Sequence, residues 1–161
     1  MMRTWKFLFF LFINFATTYG QAPLPRFVSI RSKIVNMHVG PGIDYPTIWQ
    51  YMKQGYPLEV IAEFGQWRRV RDIDGVVGWI HKNLLSSKRT GLVRKRTHLY
   101  QEPHESSAIR AHVHGGIIVR VLNFLGHWCR VEIPHNGRIY LGWMKKKIVW
   151  GLYDKEERTP Q

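Results

Sequence analysis

The feature that most constrains this chain is a repeat. The run at 58–70, LEVIAEFGQWRRV, has a partner at 119–131, VRVLNFLGHWCRV. Trp67 returns as Trp128, 61 residues on, and the pairs Gly65/Gly126 and Val70/Val131 keep that spacing. Pro41 and Pro103 are 62 apart, and Gly78-Trp79 and Gly142-Trp143 are 64 apart. A self-similarity of this length means one supersecondary unit built twice. Three residues are gained between Trp128 and Gly142, in a stretch holding Pro134, Asn136 and Gly137. These are turn formers, so the expectation is a longer hairpin loop in the second copy with its strands undisturbed.

Within each copy the signals are those of strands. Leu58-Glu59-Val60-Ile61 and the run 117–122 are short and rich in β-branched residues. Asp74-Gly75 and Asn136-Gly137 separate strand-like runs as hairpin turns do. Gly40-Pro41-Gly42 and Asp44-Tyr45-Pro46 interrupt the chain before the later strands. No stretch keeps a helical period. Short, evenly spaced strands argue for an all-β chain of two small barrels, with closure removing exposed sheet edges. The expected units are 26–89 and 90–153, joined by a short polar segment near 86–91 that leaves them little freedom, so the two copies should dock. Residues 154–161 are charged and read as a flexible tail.

The first twenty residues read differently. Arg3 and Lys6 precede an apolar run, Phe7 to Phe15, followed by Thr18, Tyr19 and Gly20. This is the layout of a secretory signal peptide, with cleavage after Gly20 or Ala22; the other reading is an uncleaved anchor. Beyond it no stretch is apolar enough to span a bilayer. Export places the mature chain in the periplasm or outside the cell. The chain carries 24 Lys+Arg against 11 Asp+Glu, a net charge of +13. Such an excess favours anionic partners: wall carboxylates, lipid headgroups or acidic proteins. Nucleic acid is disfavoured by export. The single cysteine, Cys129, cannot form an internal disulfide, so packing alone must hold the fold.

Val35-Asn36-Met37-His38-Val39-Gly40-Pro41-Gly42 resembles the opening of bacterial SH3 (SH3b) domains, and the run 78–86, GWIHKNLLS, resembles their closing strand. The runs 26–31 and 150–153 resemble the ends of an exported alphaproteobacterial subgroup with SH3-like domains. The resemblance spans nearly all of 26–153. It departs at Glu102, where a Gly is usual. It implies small β-barrels, and a role among relatives that bind peptidoglycan or proteins near the cell wall. Some relatives carry a wall peptidase domain after the SH3 part.

Catalytic chemistry needs a nucleophile, an acid/base pair or a metal in a cleft. Alternation puts Cys129 on the core side with Val131, as an inert small hydrophobe. His112 and His114 alternate on one strand and could share a metal; the competing reading is scattered surface histidine, and no metal or other cofactor is expected. Acids such as Asp44, Asp72 and Asp74 sit in turns, where they cap backbone amides. The expectation is therefore no enzyme. Binding rests on other residues. Trp79 and Trp143 follow strand glycines and read as structural, whereas Tyr45, Trp49 and Trp67 are candidates for an aromatic groove holding an extended chain. Arg68, Arg69 and Arg71, with Lys145, Lys146 and Lys147, are candidates for an anionic ligand. The expected function is a non-catalytic periplasmic module that recognises peptidoglycan or an envelope protein. The alternatives are an adaptor of two docked barrels with one groove blocked and, last, an exported enzyme.

Overall fold

A computed structural model describes residues 22–156; the expected signal peptide, residues 1–20, lies outside them. The first copy comprises β1 (Arg26–Ile30), β2 (Val35–His38), β3 (Thr47–Tyr51), β4 (Pro57–Phe64), β5 (Trp67–Arg71), β6 (Val77–His81) and β7 (Leu85–Ser86). The second comprises β8 (Thr90–Val93), β9 (Thr97–Tyr100), β10 (Ile109–Val113), β11 (Ile118–Leu125), β12 (Trp128–His135), β13 (Arg138–Lys145) and β14 (Val149–Trp150). A single 3-10 turn precedes the last strand of each, Lys82–Leu84 and Lys146–Ile148. The strand orders are β3-β2-β6-β5-β4-β1-β7 and β10-β9-β13-β12-β11-β8-β14, the same path twice. Each sheet curls around its own core, as the two tandem SH3-like barrels expected from the repeat.

Alternation supplies the cores. Met37, Leu58, Val60, Val70 and Ile80 are buried in the first copy, and their repeat partners Leu99, Val119, Val121, Val131 and Met144 in the second. Complete burial of such a side chain stabilises by about 1.5–3 kcal/mol. Both copies carry a bulge at one place, between Val60 and Ala62 and between Val121 and Asn123. Gly78 and Gly142 explain themselves by contact. A Cβ on Gly78 would stand 2.5 Å from Met37 Cγ and 2.8 Å from the His38 carbonyl oxygen. One on Gly142 would stand 2.6 Å from both Leu99 Cγ and the Tyr100 carbonyl oxygen. These glycines let β2 and β9 close against β6 and β13.

The three extra residues are absorbed otherwise than expected. In the first copy β5 and β6, five residues each, are joined by the loop 72–76. Asp72 organises it: buried, its carboxylate accepts from the Asp74 and Val76 amides at 3.0 and 2.8 Å and from the Tyr51 hydroxyl at 3.0 Å. Burial, reinforced by Asp72, holds the Tyr51 phenol far above its usual range. In the second copy β12 and β13 have eight residues each and only Asn136-Gly137 between them. Both turn residues have positive φ, 49° and 73°, the conformation of a two-residue I′ turn. The insertion lengthened the strands and shortened the loop, because Asn-Gly closes a hairpin directly.

The departure at Glu102 is compensated locally. A Cβ on Gly40 would lie 2.5 Å from the Tyr45 ring. At the repeat partner of Tyr45 stands Ser107, whose hydroxyl accepts from the Glu102 amide at 2.9 Å. With the ring gone, glycine is no longer required.

The copies dock as expected. Phe27 of β1 packs edge-on against Trp150 at 5.1 Å and at a tilt against Tyr153 at 4.8 Å. The Tyr153 hydroxyl donates to Glu59 at 2.8 Å, Thr90 Oγ1 to the Gly55 carbonyl at 2.7 Å, and Lys53 Nζ to the Gly116 carbonyl at 2.9 Å. Burial and the Glu59 bond push the Tyr153 phenol up. The expected free tail does not begin at Asp154: Lys146 Nζ donates to the Asp154 and Glu156 carbonyls, both at 2.9 Å, and Glu156 pairs with Arg89.

Candidate functional site

Trp67 begins β5 on the outer face of its sheet, and three elements converge on it. His38, at the end of β2, meets the indole edge-on at 5.6 Å, and His81, at the end of β6, meets it at 5.4 Å from the other side. Ile34, Ile43 and Leu84 complete the walls of a cleft of about 240 Å³. Ile34 and Ile43 are largely exposed, at 60% and 79%, so the apolar wall faces solvent. The histidines present unlike atoms. His38 Nδ1 lies 2.8 Å from the Tyr45 carbonyl oxygen, to which it must donate, leaving Nε2 as an acceptor in the neutral ring. His81 Nδ1 accepts from the Asn83 amide at 3.4 Å, leaving Nε2–H as a donor. An apolar floor flanked by one acceptor and one donor suits an extended chain with amide groups.

The repeat places a second cleft around Trp128, with different walls. Tyr100 replaces His38 and stacks edge-on at 5.5 Å. Lys145 replaces His81, with its ammonium 5.7 Å from the Trp128 ring centre. Glu105 stands where the first copy has Ile43 and pairs with Lys145. That bond and the nearby positive charge hold the Glu105 carboxyl below its usual range. Pro103, His104, His127 and Lys147 also line this cleft of about 560 Å³, which Lys146 and Asp154 border. Nine of the thirteen exposed large apolar side chains among the described residues fall between Leu24 and Phe64, so the apolar surface belongs to the first copy.

The expected binding residues are dispersed. Trp67 lines the cleft. Tyr45 covers Gly40 and Gly42, and its carbonyl orients His38. Trp49 is half-exposed on β3, the sheet edge, next to Tyr51. Arg68 is committed to Glu63 at 2.9 Å, and Arg71 to Glu59 at 3.0 Å. Arg69 is exposed, opposite Trp79 across the strand pair, and has no ion pair among the described residues. The lysine triplet is not one surface. Lys147 is exposed, Lys145 is paired with Glu105, and Lys146 is buried at 5% exposure. The 3-10 turn at Lys146–Ile148 turns the middle lysine inward, so Lys146 is corrected from surface cation to buried ammonium.

Sequence reasoning missed Ile34, His38, Ile43, His81 and Leu84. Their signal was the repeat itself: positions flanking the shared Trp at which the two copies differ. It also missed Arg130, which lies in a cross-strand row with Asn123 and Trp143 just as Arg69 lies with Ala62 and Trp79. His112 faces His98 across β9 and β10, ring centres 4.9 Å apart. No group of three metal-ligating side chains occurs among the described residues. Cys129 is buried, its thiol donates to the Met144 carbonyl at 3.4 Å, and burial pushes its pKa up to about 12. That thiol stays protonated at neutral pH and is no nucleophile. No helix among the described residues is long and apolar enough to cross a membrane.

Comparison with known proteins gives one family. The model of the bacterial SH3 domain matches residues 31–87 and again 93–151. No curated protein sequence matches the chain. Among solved structures, it is similar to NlpC2 from Trichomonas vaginalis, at 15% identity and a TM-score of 0.37, covering 85% of this chain and 52% of that one. It is also similar to NlpC1 from the same organism, at 16% identity and a TM-score of 0.35, covering 81% and 47%. The chain thus spans about half the length of these proteins.

Proposed function

This chain belongs to the bacterial SH3 domain family, and on that footing we propose that it is a non-catalytic binding module of the cell envelope, exported to the periplasm or beyond. Its ligand is an extended peptide bearing carboxylates, as in the stem peptides of peptidoglycan. The observation that carries this reading is the Trp67 cleft: an indole with exposed apolar walls of Ile34 and Ile43, between an imidazole acceptor and an imidazole donor. Extended-chain recognition by aromatic-lined grooves uses such surfaces. Arg69, with no ion pair among the described residues, supplies a cation on the same outer face, two residues along β5. The matching cleft of the second copy is not assigned this ligand, since Glu105 and Lys145 occupy it.

The test is co-sedimentation of the purified chain with isolated peptidoglycan across a salt series. Binding should be weakened about tenfold or more by Trp67→Ala, the range of an aromatic anchor. Rising salt should weaken the Arg69-dependent part, because exposed charges are screened over about 8 Å at physiological ionic strength. No sedimentation, or equal loss from Trp67→Ala and Trp128→Ala, would sink the proposal in favour of a protein adaptor.

A further inference from the structure

The two copies solve one electrostatic problem in different ways, and the second solution points to a second binding site. In the first copy Arg26 lies opposite Val60, and its carboxylate partner is Glu63, from β4 of the same barrel. Glu63 also receives Arg68 and is only 9% exposed in its side chain. In the second copy the residue matching Arg26 is Arg89, whose carbonyl accepts from the Val121 amide. The residue matching Glu63 is Phe124, which lies opposite Cys129 as Glu63 lies opposite Arg68. The internal carboxylate is therefore missing, while the arginine remains.

A second cation gathers there. The Arg89 guanidinium is 5.7 Å from the Phe124 ring centre and the Lys146 ammonium 5.5 Å. Two cations over one ring, one of them buried, require an anion. It comes from residues 154–156: Glu156 pairs with Arg89, and the carbonyls of Asp154 and Glu156 accept hydrogen bonds from the Lys146 ammonium. The fit is incomplete. Glu156 engages Arg89 through Nη2, while Arg89 Nε is buried with no hydrogen-bond partner among the described residues. A carboxylate seated on the guanidinium fork would use both nitrogens. Beside the site a cavity of about 830 Å³ is walled by Asn123, Phe124, Lys146 and Asp154, and the buried Asn123 Oδ1 also lacks a partner among the described residues.

We propose that Arg89, Lys146 and the face of Phe124 form a carboxylate-binding site, and that residues 154–156 are a strap whose Glu156 is its built-in occupant. An external carboxylate, free or at the end of a peptide, binds by displacing Glu156. This site is separate from the Trp67 cleft and does not depend on the function proposed for it.

The experiment compares the full chain with Glu156→Gln, which keeps the strap's length and removes its charge. Each is titrated with glutarate and with N-acetylglycylglycine, following the Phe124 and Gly126 amides by NMR. At least one probe should bind Glu156→Gln at least tenfold more tightly than the parent, and which one does distinguishes a free acid from a peptide end. Adding Arg89→Met should abolish the gain. If that double variant does not fold, Arg89→Lys keeps the charge and loses the fork, and must weaken binding at least fivefold. Equal affinity of parent and Glu156→Gln, no binding to either, or binding indifferent to the change at Arg89 would overturn the proposal.

Discussion

The clefts around Trp67 and Trp128 sit at one position of one fold and have opposite characters. In the first, the indole is flanked by two imidazoles and walled by Ile34 and Ile43. In the second it lies under Lys145, which Glu105 holds in place. What the copies share is scaffold: the tryptophan, the glycine that admits β2 or β9, the bulge and the inward-facing core. What differs is the rim. Duplication preserved the parts that packing enforces and released the side chains that packing does not touch. Where the scaffold did change, it changed in pairs. Tyr45 demands Gly40, whereas Ser107 tolerates and bonds Glu102.

The equivalence of the cores gives the largest expected effect. Met37→Ala and Leu99→Ala each remove a fully buried side chain at one repeat position. Each should cost about 2–5 kcal/mol, read by urea denaturation. A severe loss for one and none for the other would break the claim that the two cores are built alike.

The hairpins come next, and here the copies should respond to different changes. Asp72→Ala strips the Asp74 and Val76 amides and the Tyr51 hydroxyl of their acceptor, a loss of about 1–3 kcal/mol for buried groups left unmet. Gly137→Val forces a side chain onto a φ of 73° and should cost about 1–2 kcal/mol. Thermal melts of both variants check this, and a neutral Gly137→Val would mean that the turn is not I′.

The clefts themselves are separated by binding. Trp67→Ala should reduce affinity for isolated peptidoglycan about tenfold, about 1.4 kcal/mol, and Trp128→Ala should leave it unchanged in the same co-sedimentation assay. The smallest effect concerns acid. The Glu105 carboxyl has a lowered pKa in the folded chain. Its pairing with Lys145 therefore contributes above the ordinary carboxylate value of 4.5 and is lost as pH falls through the lowered folded value. Melting temperatures taken down to pH 3 should fall slightly more for the parent than for Glu105→Gln. A parent curve that superimposes on the variant's would remove the pair from the account of the second cleft.

Much of this architecture is legible in the amino-acid order. The spacing of Trp67/Trp128, Gly65/Gly126 and Gly78/Gly142 reports two copies because each residue answers a local geometric demand. The Asn136-Gly137 turn is legible too, but its consequence is not: turn formers suggest a longer loop, whereas this dipeptide permits a short one. The cleft was not legible as a unit, since Ile34, Ile43, Trp67, His81 and Leu84 come from segments far apart in sequence. The lysine triplet misled for a related reason. A run of like charges reads as a solvated face, but a 3-10 turn sends neighbours in different directions, and Lys146 finds its partners in carbonyls of the last described residues.

The hairpin of the second copy also sets a rule of parity on that part of the chain. Arg71 pairs with Val77, leaving five residues between them, while the matching pair, Glu132 and Leu141, encloses eight. Antiparallel partners are consumed two at a time, so in a ladder without a bulge a two-residue turn closes an even interval. Five leaves an odd residue over, and the first copy, with no bulge between β5 and β6, keeps an open loop with Asp72 as its organiser. Eight resolves into three further pairs and Asn136-Gly137. An insertion or deletion of two residues in this arm changes only its length. A change of one makes the interval odd, which takes either a bulge, as between β4 and β5, or an open loop, for which the second copy has Ile133 at the position matching Asp72.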